Sequence, residues 1–424
     1  MKKLAAKILA GITRKILRKY KPRIIGITGS VGKTSAKEAV FVALAPRFRT
    51  RAGRKNYNNE FGLPLAVLGA DSPGRNIFKW IALLWRGIWT AYAYVQFPEI
   101  LVLEMGVDRP GDMDYLLSMA KPDYAVLTSI GVPHLENFST QERILQEKTK
   151  IFSAIGRQGA AILNLDDKLI RSAVHTIKGR ISTYGFDHSA DLRINDYQIT
   201  YGRTQKAYGT MFRMVYKGET VPVFLSGTIG VPHIMACAAA AAVALNFGLT
   251  LKEIAENLED YKSMPGRLHL VEGQHHSTII DDTYNSSPAS VAAAVNELKE
   301  FPAQHKIAVL GDMLELGRVS DSAHLDVGRL LLNNPFEQVI LVGPRLRSAA
   351  DFLRRSGFPS DRVMHFEKST EALEPVRQLI RDGSAILVKG SQGIRMEKIV
   401  KGIMAEPERA SELLCRQDKK WLKS

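Results

Sequence analysis

The sequence predicts an α/β protein: a phosphate-loop domain with a parallel sheet, followed by a C-terminal Rossmann-like α/β domain and preceded by a basic amphipathic helix. Three observations predict it. A β-branched run feeds a glycine loop that ends in Lys-Thr and opens a helix. Apolar strands alternate with helical segments in both halves of the 424-residue chain. Cations and apolar residues recur at helical spacing ahead of the loop.

The N-terminal helix is expected over residues 1–22, because apolar residues recur at helical spacing from Leu4 to Ile16. The cations between them leave no uncharged apolar core long enough for a signal peptide. The first 55 residues hold 16 Lys/Arg against one acid, Glu38, and the remaining 42 Lys/Arg and 42 Asp/Glu cancel. This basic front end favours contact with an anionic membrane surface. A helix packed on its own domain with solvated lysines is the alternative.

Other partners and chemistries are disfavoured by composition. No nucleic acid is expected, because neither aromatic interleaving nor a known nucleic-acid-binding fold accompanies the charge. The two cysteines, Cys237 and Cys415, cannot form a disulfide framework or a four-ligand zinc site. This cysteine usage fits a reducing compartment.

The stretch from Ile24 to Ser35 predicts a nucleoside triphosphate site. Such a loop turns its backbone N–H groups inward at the positive end of a helix dipole. Lys33 can reach the β- and γ-phosphates, and the Thr34 hydroxyl can sit on Mg²⁺. A glycine usually stands at the position of Ile27, so Gly29 is expected to take the tight turn. The expected nucleotide-binding residues of the loop are Gly29, Ser30, Gly32, Lys33, Thr34 and Ser35.

A helix is expected from about Ser35 to Leu44, then a polar loop over 56–64, then an apolar stretch from Ile77 to Phe97. This stretch holds three of the four tryptophans, and its uncharged run is too short to span a bilayer. Tryptophans with flanking cations are typical of a membrane interface. Core packing or a dimer face is the other interpretation.

Buried strands are predicted at 100–103 and 124–128, and polar residues follow them at the edge where open α/β sheets bind ligands. Glu104 can hold a divalent cation directly or through water, and His134 is a candidate second metal ligand. Further strands are expected at 160–163 and 181–184, and antiparallel strands over 192–224, before an alanine-rich helix at 234–247 and a helix from Leu251.

A domain boundary is predicted at Met264-Pro265-Gly266, after which the strand–helix pattern restarts. Strands are expected at 277–280, 307–310, 338–342 and 385–388, with helical segments between them. The chain is therefore expected to consist of the N-terminal helix (1–22), a central ATP-binding domain (23–265) and a C-terminal domain (266–424).

Nine separated motifs resemble the Mur ligases of cell-wall peptide synthesis, in that family's order and over about residues 23–405. The motifs are residues 28–34, 58–64, 104–106, 131–136, 147–152, 265–267, 281–288, 311–317 and 389–391. The resemblance implies an ATP-dependent ligase that forms an amide bond between a substrate carboxylate and an amine through an acyl phosphate. The alternatives are a folylpolyglutamate-synthase-like or other polymer amide ligase, or a catalytically weak nucleotide-binding module at a membrane surface.

The resemblance also implies roles for particular residues. Thr34, Glu104 and His134 would surround Mg²⁺, and Lys148 aligns with a lysine that such enzymes carbamylate, which requires a neutral amine. Lys150 departs from the family pattern, which usually has an acid there. The implied catalytic residues are Lys33, Lys148, His134 and Arg267. Lys148 is also an implied metal ligand. The remaining implied nucleotide-binding residues are Asn59, Asp282, Tyr284 and Asn285.

Two departures concern substrate binding. Ile234 and Cys237 replace asparagines of the family, so the contacts of those amides are not expected. About 25 residues precede the phosphate loop, where the family carries a domain that holds UDP, so UDP is not expected to bind in the usual way. The acceptor is therefore expected to be a small-molecule or lipid-linked peptide. The enzyme is expected to be cytoplasmic, with peripheral contact to the inner face of the plasma membrane through residues 1–23 and 77–97.

Overall fold

A computed structural model describes residues 2–53, 57–74, 76–131, 138, 140–202, 207–334, 336–418 and 421. The chain forms two compact units. The first comprises the residues up to Tyr197 together with Phe212–Val223 and Pro232–Tyr261, and the second comprises Gln198–Met211, Phe224–Val231 and the residues from Lys262. The N-terminal helix belongs to the first unit, and the boundaries at residues 22 and 265 stay predictions.

The strands of the larger sheet follow the expected apolar runs. They are β1 (Arg23–Thr28), β2 (Thr50–Ala52), β3 (Ile100–Glu104), β4 (Tyr124–Leu127), β5 (Ala160–Asn164), β6 (Ile181–Gly185), β7 (Leu192–Gly202), β8 (Ala207–Tyr216) and β9 (Glu219–Ser226). In the described part of the chain their order is β2-β3-β1-β4-β5-β6-β7-β8-β9, with parallel pairing from β2 to β7. β1, β3 and β4 are almost wholly buried, as expected for parallel strands covered on both faces.

Nine helices accompany this sheet in the described part of the chain. They are α1 (Lys2–Tyr20), α2 (Lys33–Leu44), α3 (Gly62–Leu68), α4 (Ile77–Tyr92), α5 (Asp112–Met119), α6 (Gln141–Thr149), α7 (Lys168–Ala173), α8 (Val231–Asn246) and α9 (Leu251–Leu258). The predicted N-terminal helix is confirmed as α1. Its apolar side packs on its own unit through the fully buried Leu9 and Ile16, whereas Lys7, Arg14 and Lys15 are exposed.

Helix α4 accounts for most of the tryptophan-rich segment. It buries one narrow face of Leu83, Gly87 and Ala91, and a Cβ on Gly87 would lie 3.0 Å from Ile12 of α1. Core packing therefore explains this face but not the large residues on the opposite side. Those exposed residues are Ile77, Phe78, Ile81, Trp85, Ile88, Trp89 and Tyr92. Within the described ranges, no helix is both long and apolar enough to cross a membrane.

The second unit contains the second α/β sheet that the sequence predicts. Its strands are β10 (His269–Glu272), β11 (Thr278–Asp282), β12 (Lys306–Gly311), β13 (Gln338–Val342), β14 (Val363–Phe366) and β15 (Ala385–Lys389). The described strands are ordered β10-β11-β15-β12-β13-β14, and every pair is parallel except β10 with β11. The helices are α10 (Pro288–Glu300), α11 (Ser320–Leu332), α12 (Arg347–Arg355), α13 (Ser369–Leu379), α14 (Glu397–Ile403) and α15 (Ala410–Leu413).

Candidate active site

The glycine loop joins β1 to α2, and two of its residues need a glycine backbone. Gly29 has a φ of 147° and Gly32 a φ of 85°, both in the region that side chains disfavour. A Cβ on Gly29 would also lie only 2.0 Å from the Thr128 hydroxyl oxygen. Gly29 therefore occupies the tight turn, and α2 begins at Lys33, two residues earlier than the sequence predicts.

The segment after β4 braces this loop. The Ser30 N–H donates to the Ser129 carbonyl at 2.8 Å, and the Thr128 hydroxyl donates to the Val31 carbonyl at 2.6 Å. The Ser30 hydroxyl accepts from the Gly131 N–H at 2.9 Å. Sequence reasoning missed Thr128 and Ser129. They could have been recognised from their position at the carboxyl end of β4, the strand that pairs with β1.

Two lysines converge on the loop. The Lys33 ammonium donates to the Gly29 carbonyl at 2.8 Å and to the Ser30 carbonyl at 3.2 Å, and the Lys148 ammonium donates to the Gly29 carbonyl at 3.1 Å. Burial and the neighbouring Lys33 charge lower the pKa of Lys148 to about 7, against the opposing influence of Asp108 and Glu147. At neutral pH a large fraction of Lys148 is therefore an uncharged amine.

Thr34 and Glu104, which the family resemblance implied would surround one Mg²⁺, meet beside the loop. The Thr34 hydroxyl donates to the Glu104 carboxylate at 3.1 Å, and both residues are buried. The Asn58 side-chain amide lies 3.4 Å from the other Glu104 oxygen, an approach that a Cβ on Gly106 would block. Asn58 is thus a further site residue that sequence reasoning did not single out.

Asn59 and Ser35, both expected to bind the nucleotide, occupy structural positions in the first unit. The Asn59 side-chain oxygen accepts from the Phe61 N–H at 3.3 Å and from the Gly62 N–H at 3.0 Å, so it fixes the start of α3. This helix begins inside the predicted polar loop. Ser35 is buried in the first turn of α2. His134, the expected second metal ligand, lies outside the described residues.

Glu147, the residue before Lys148, anchors α6 to α5. Its buried carboxylate accepts from the Gly111 N–H at 2.9 Å and from the Met113 N–H at 3.1 Å, at the start of α5. Lys150 then bridges Glu147 at 2.7 Å and Asp114 at 2.6 Å. The lysine that departs from the family pattern is therefore balanced by two carboxylates, and hydrogen bonds to Asp114 and Glu147 raise its pKa.

In the second unit, the expected ribose-binding Asp282 pairs with Lys389. These residues are register partners at the ends of β11 and β15, and the Lys389 ammonium lies 2.6 Å from the Asp282 carboxylate and 3.0 Å from the Asn285 carbonyl. The neighbouring Asp281 accepts from the Thr283 hydroxyl at 2.6 Å, and burial raises its pKa to about 7. Asp282 and Asn285 are brought together by Lys389, a residue that sequence reasoning did not assign to the site.

Arg267 and Tyr284 also lie together in the second unit. The Arg267 guanidinium carbon is 4.4 Å from the Tyr284 ring centroid, and the Tyr284 N–H donates to the Gly266 carbonyl at 2.9 Å. Arg416, from the C-terminal segment, donates to the Thr283 carbonyl at 2.9 Å and to the Tyr284 carbonyl. Its role could not be read from the sequence, because 132 residues separate it from Tyr284.

Ile234 and Cys237, which stand where the family has asparagines, also lie in apolar surroundings. Ile234 and Cys237 are fully buried in α8, and burial raises the pKa of the Cys237 thiol. The adjacent His233 ring nitrogen lies 2.8 Å from the Tyr261 hydroxyl. This turn of α8 is therefore built as protein core.

Comparisons with known proteins identify the family. The model of the Mur ligase middle domain matches residues 88–244, and that of the Mur ligase, glutamate ligase domain matches residues 266–392. The UDP-N-acetylmuramoyl-tripeptide–D-alanyl-D-alanine ligase of Bacillus subtilis is 30% identical over 400 residues, which cover 94% of this chain and 79% of the relative. The chain belongs to the Mur ligase family.

Other relatives agree with this assignment. The Escherichia coli ligase of the same name is 28% identical to this Mur ligase over 386 residues, 90% of this chain and 76% of the relative. The MurF ligase of Thermotoga maritima in complex with ADP superposes with a TM-score of 0.77 at 27% identity, covering 95% of this chain and 84% of that one. A folylpolyglutamate synthase of Thermotoga maritima, at 16% identity and a TM-score of 0.59, shares the fold.

This Mur ligase is accordingly an ATP-dependent enzyme that forms an amide bond between a carboxylate and an amine in cell-wall peptide synthesis. The family assignment favours this activity over the folylpolyglutamate-type alternative. It also disfavours the non-catalytic binding module, because Lys33, Glu104 and Lys148 are all present and adjoin one glycine loop.

Proposed function

We propose that this ligase adds D-alanyl-D-alanine or a single amino acid to the carboxylate of a muramoyl-type peptide. A carboxylate oxygen attacks the γ-phosphorus of ATP, the bond to the β–γ bridging oxygen breaks, and ADP leaves. The amine nitrogen then attacks the acyl carbon, the bond from that carbon to the phosphate oxygen breaks, phosphate leaves with the former carboxylate oxygen, and the nitrogen loses a proton. The observation that carries the proposal is the convergence of Lys33 and Lys148 on the glycine loop beside Glu104.

Lys33 and the loop N–H groups supply the positive charge that phosphoryl transfer requires. In the second unit, Arg267 would contact the phosphates, and Asp282, Tyr284 and Asn285 would hold the nucleoside. Support for this second set comes from Lys389, which contacts both Asp282 and the Asn285 carbonyl, and from the stacking of Arg267 on Tyr284. In the first unit, the proposed nucleotide-binding residues are Gly29, Gly32, Ser30, Thr34, Ser35 and Asn59, with His134 as a further catalytic residue and metal ligand.

The residues beside the loop fit Mg²⁺. A buried carboxylate and a hydroxyl, Glu104 and Thr34, are the hard oxygen ligands that this ion prefers. The described residues contain no cluster of three or more His, Cys, Asp or Glu that could hold a metal by themselves. A magnesium ion held by few protein atoms together with substrate phosphates matches that composition. When bound, the ion would neutralise charge developing on the phosphates.

Lys148 is proposed to be carbamylated. Its uncharged amine nitrogen would add to the carbon of CO₂ and release one proton, which converts a cation into an anionic metal ligand. The pKa of about 7 and the buried position support this step. A carbon-13 resonance from labelled bicarbonate should appear in the wild-type protein and be absent from Lys148→Arg. A spectrum without that resonance at saturating bicarbonate would rule the modification out.

A cavity of about 530 Å³ next to Glu104 is the proposed site of the acceptor carboxylate. It lies between the loop before α3 and the start of α5, and is lined by Asn58, Asn59, Glu60, Gly106, Asp108, Arg109, Asp112, Tyr115 and Leu116. Arg109 offers a guanidinium to an anionic peptide. Replacement by glutamine should raise the KM for the acceptor with little change in the KM for ATP.

The acceptor is proposed to be lipid-linked, with the ligase bound peripherally to an anionic membrane at the cytoplasmic face. Support comes from the exposed cations of α1 and the exposed tryptophans of α4. Co-sedimentation with phosphatidylglycerol vesicles at low salt, lost at high salt, is the expected result. Failure to co-sediment would remove the membrane contact and leave the ligase chemistry untouched.

A further inference from the structure

A second cavity lies in the first unit, at the edge of the sheet where β1 and β3 begin. Its volume is about 660 Å³, and it is an open cavity lined by the turn from α1 into β1, the chain before β2, and the extended segment after α4. We propose that this cavity binds the anionic headgroup of a membrane phospholipid. The proposal rests on the membrane contact proposed above and assigns to it one specific site.

This cavity is separate from the nucleotide site. It touches β1 at Arg23, the first residue of the strand, whereas the glycine loop follows Thr28, the last one. Six residues of β-strand span about 20 Å. A ligand in the cavity therefore touches neither the loop nor the acceptor cavity beside Glu104, and the ligase reaction has no use for it.

The cationic lining suits a phosphate. The cavity is lined by Lys21, Arg23 and Arg49 together with one carboxylate, that of Glu99, which forms an ion pair with Arg49 at 3.2 Å. The Arg23 guanidinium carbon is 4.3 Å from the ring centroid of Phe247 and 5.2 Å from that of Phe48, and this stacking holds the guanidinium without neutralising its charge. The excess of positive charge and the planar guanidinium groups favour a phosphodiester over a neutral or cationic ligand.

The walls of the cavity are fixed by contacts within the unit. The Tyr20 hydroxyl donates to the Ala93 carbonyl at 3.0 Å and accepts from the Val95 N–H at 3.2 Å. The Tyr20 ring stacks on Phe97 with centroids 4.6 Å apart. The segment that follows α4 is thus tied to the end of α1, which gives a preformed site rather than a crevice between loose chains.

The cavity opens next to the exposed face of α4. Tyr94 in its lining is 98% exposed, and the Lys15 ammonium lies 3.5 Å from the ring centroid of Tyr92 at the end of α4. The seven exposed apolar residues of α4 fall within roughly 120° of the helix circumference. No acidic residue occurs between Asp71 and Glu99.

Aromatic residues beside cations are typical of a protein surface at the headgroup level of a bilayer. The charge of this surface is complementary to an anionic leaflet, so that a headgroup would fill the cavity while the acyl chains lie along the exposed apolar residues of α4. An anionic bilayer phospholipid is therefore the occupant to which the geometry points.

The test compares the double variant Lys21→Gln/Arg49→Gln with the control Arg157→Gln/Lys178→Gln, which loses the same charge at exposed positions of the same unit. The probes are phosphatidylcholine vesicles with and without phosphatidylglycerol, soluble dihexanoyl phosphatidylglycerol, and inorganic phosphate. The cavity variant should bind phosphatidylglycerol vesicles about tenfold more weakly than the control. It should also lose affinity for the soluble lipid while forming ADP from a soluble acceptor at the wild-type rate.

Equal vesicle binding by the two double variants would overturn the proposed headgroup site in the cavity, while leaving the proposed membrane contact in place. Inorganic phosphate that displaces the soluble lipid at equal concentration would overturn a lipid site in favour of a free-phosphate site. Absence of vesicle binding by the wild-type protein would overturn both the cavity and the membrane contact. Ligase activity is read separately in each case.

Discussion

The surroundings of Lys148 lower the pKa of its amine. Its ammonium shares the Gly29 carbonyl with Lys33, so two like charges and burial act together against protonation. Asp108 and Glu147 oppose the shift without cancelling it. The uncharged amine that results is the form able to react with CO₂, and the same arrangement makes the folding stability depend on pH.

The stability difference between the wild type and Lys148→Met should grow in favour of the wild type as pH rises from about 7 to 9. Over this range the folded protein has released the Lys148 proton, while the unfolded chain, with a pKa near 10.5, still holds it. The slope is at most about 1.4 kcal/mol per pH unit. Denaturant unfolding in CO₂-free buffer measures it, and a difference that stays flat with pH would contradict the shifted pKa.

Gly29→Ala should abolish most of the activity. The added Cβ would meet the Thr128 hydroxyl at 2.0 Å in a backbone conformation that alanine avoids, at a cost of roughly 1–3 kcal/mol. We expect a fall in kcat/KM of about 100-fold or more, because the loop N–H groups are displaced. Gly156→Ala is the control, since no atom lies within 4 Å of its Cβ; similar losses in both variants would refute the explanation.

At the scale of single residues, the sequence was informative for polar side chains at the ends of strands, which could be predicted to belong to the site. The family resemblance implied that Thr34 and Glu104 lie together, and they do; of the two, only Glu104 could be singled out from its place at a strand end. Asn58, rather than Asn59, reaches Glu104, and neighbouring residues in a polar loop give no pattern by which to choose. The role proposed for Lys148 came from the family resemblance alone, because a lone helical lysine has no signature.

At the scale of elements, α6 is fastened to α5 by Glu147 and Lys150. Lys150→Glu should destabilise the protein by roughly 1–2 kcal/mol, because a third carboxylate would face Glu147 and Asp114. Lys150→Met removes the charge without adding repulsion and should cost less. Thermal unfolding of the wild type and both variants checks this order. If both variants melt at the same temperature as the wild type, the bridge contributes nothing to stability.

Helix α4 offers a second comparison, between its two faces. Leu83→Ala should cost about 2–5 kcal/mol because Leu83 is 5% exposed in the core. The double variant Trp85→Ser/Trp89→Ser should leave the free energy of unfolding nearly unchanged, because both rings are more than 60% exposed. Denaturant titration of the two variants measures both changes. A large loss of unfolding free energy in the tryptophan variant would mean that this face is buried in the protein in solution.

Long apolar runs were sufficient to locate the buried strands, whereas β2, β10 and β14 were missed. Those three strands have three or four residues and are largely half-buried, so their sequences show neither a continuous apolar run nor an alternating one. The apolar stretch at 77–97 could be interpreted in two ways from its sequence. Only the packing of α1 against one side of α4 determines which side is core.

At the scale of the whole molecule, the charge is strongly uneven and the chemistry is divided between two units. The net charge of +15 arises within the first 55 residues, which include α1 and the glycine loop. The first unit carries that loop with Glu104 and Lys148, and the second carries Arg267, Tyr284 and the Asp282–Lys389 pair. The two units are discontinuous along the chain, since residues 198–211 and 224–231 belong to the second unit although residues 232–261 belong to the first.

The most direct test of the account is acceptor-dependent ADP formation with the amide product followed by mass spectrometry. ATP, Mg²⁺ and D-alanyl-D-alanine or a single amino acid would be supplied with UDP-linked or lipid-linked muramoyl peptides. We expect ADP and amide in equal amounts, turnover with the lipid-linked acceptor, and a loss of roughly 100-fold or more in Lys33→Ala. ATP hydrolysis without any amide product, unchanged by the acceptor or by Lys33→Ala, would contradict the account.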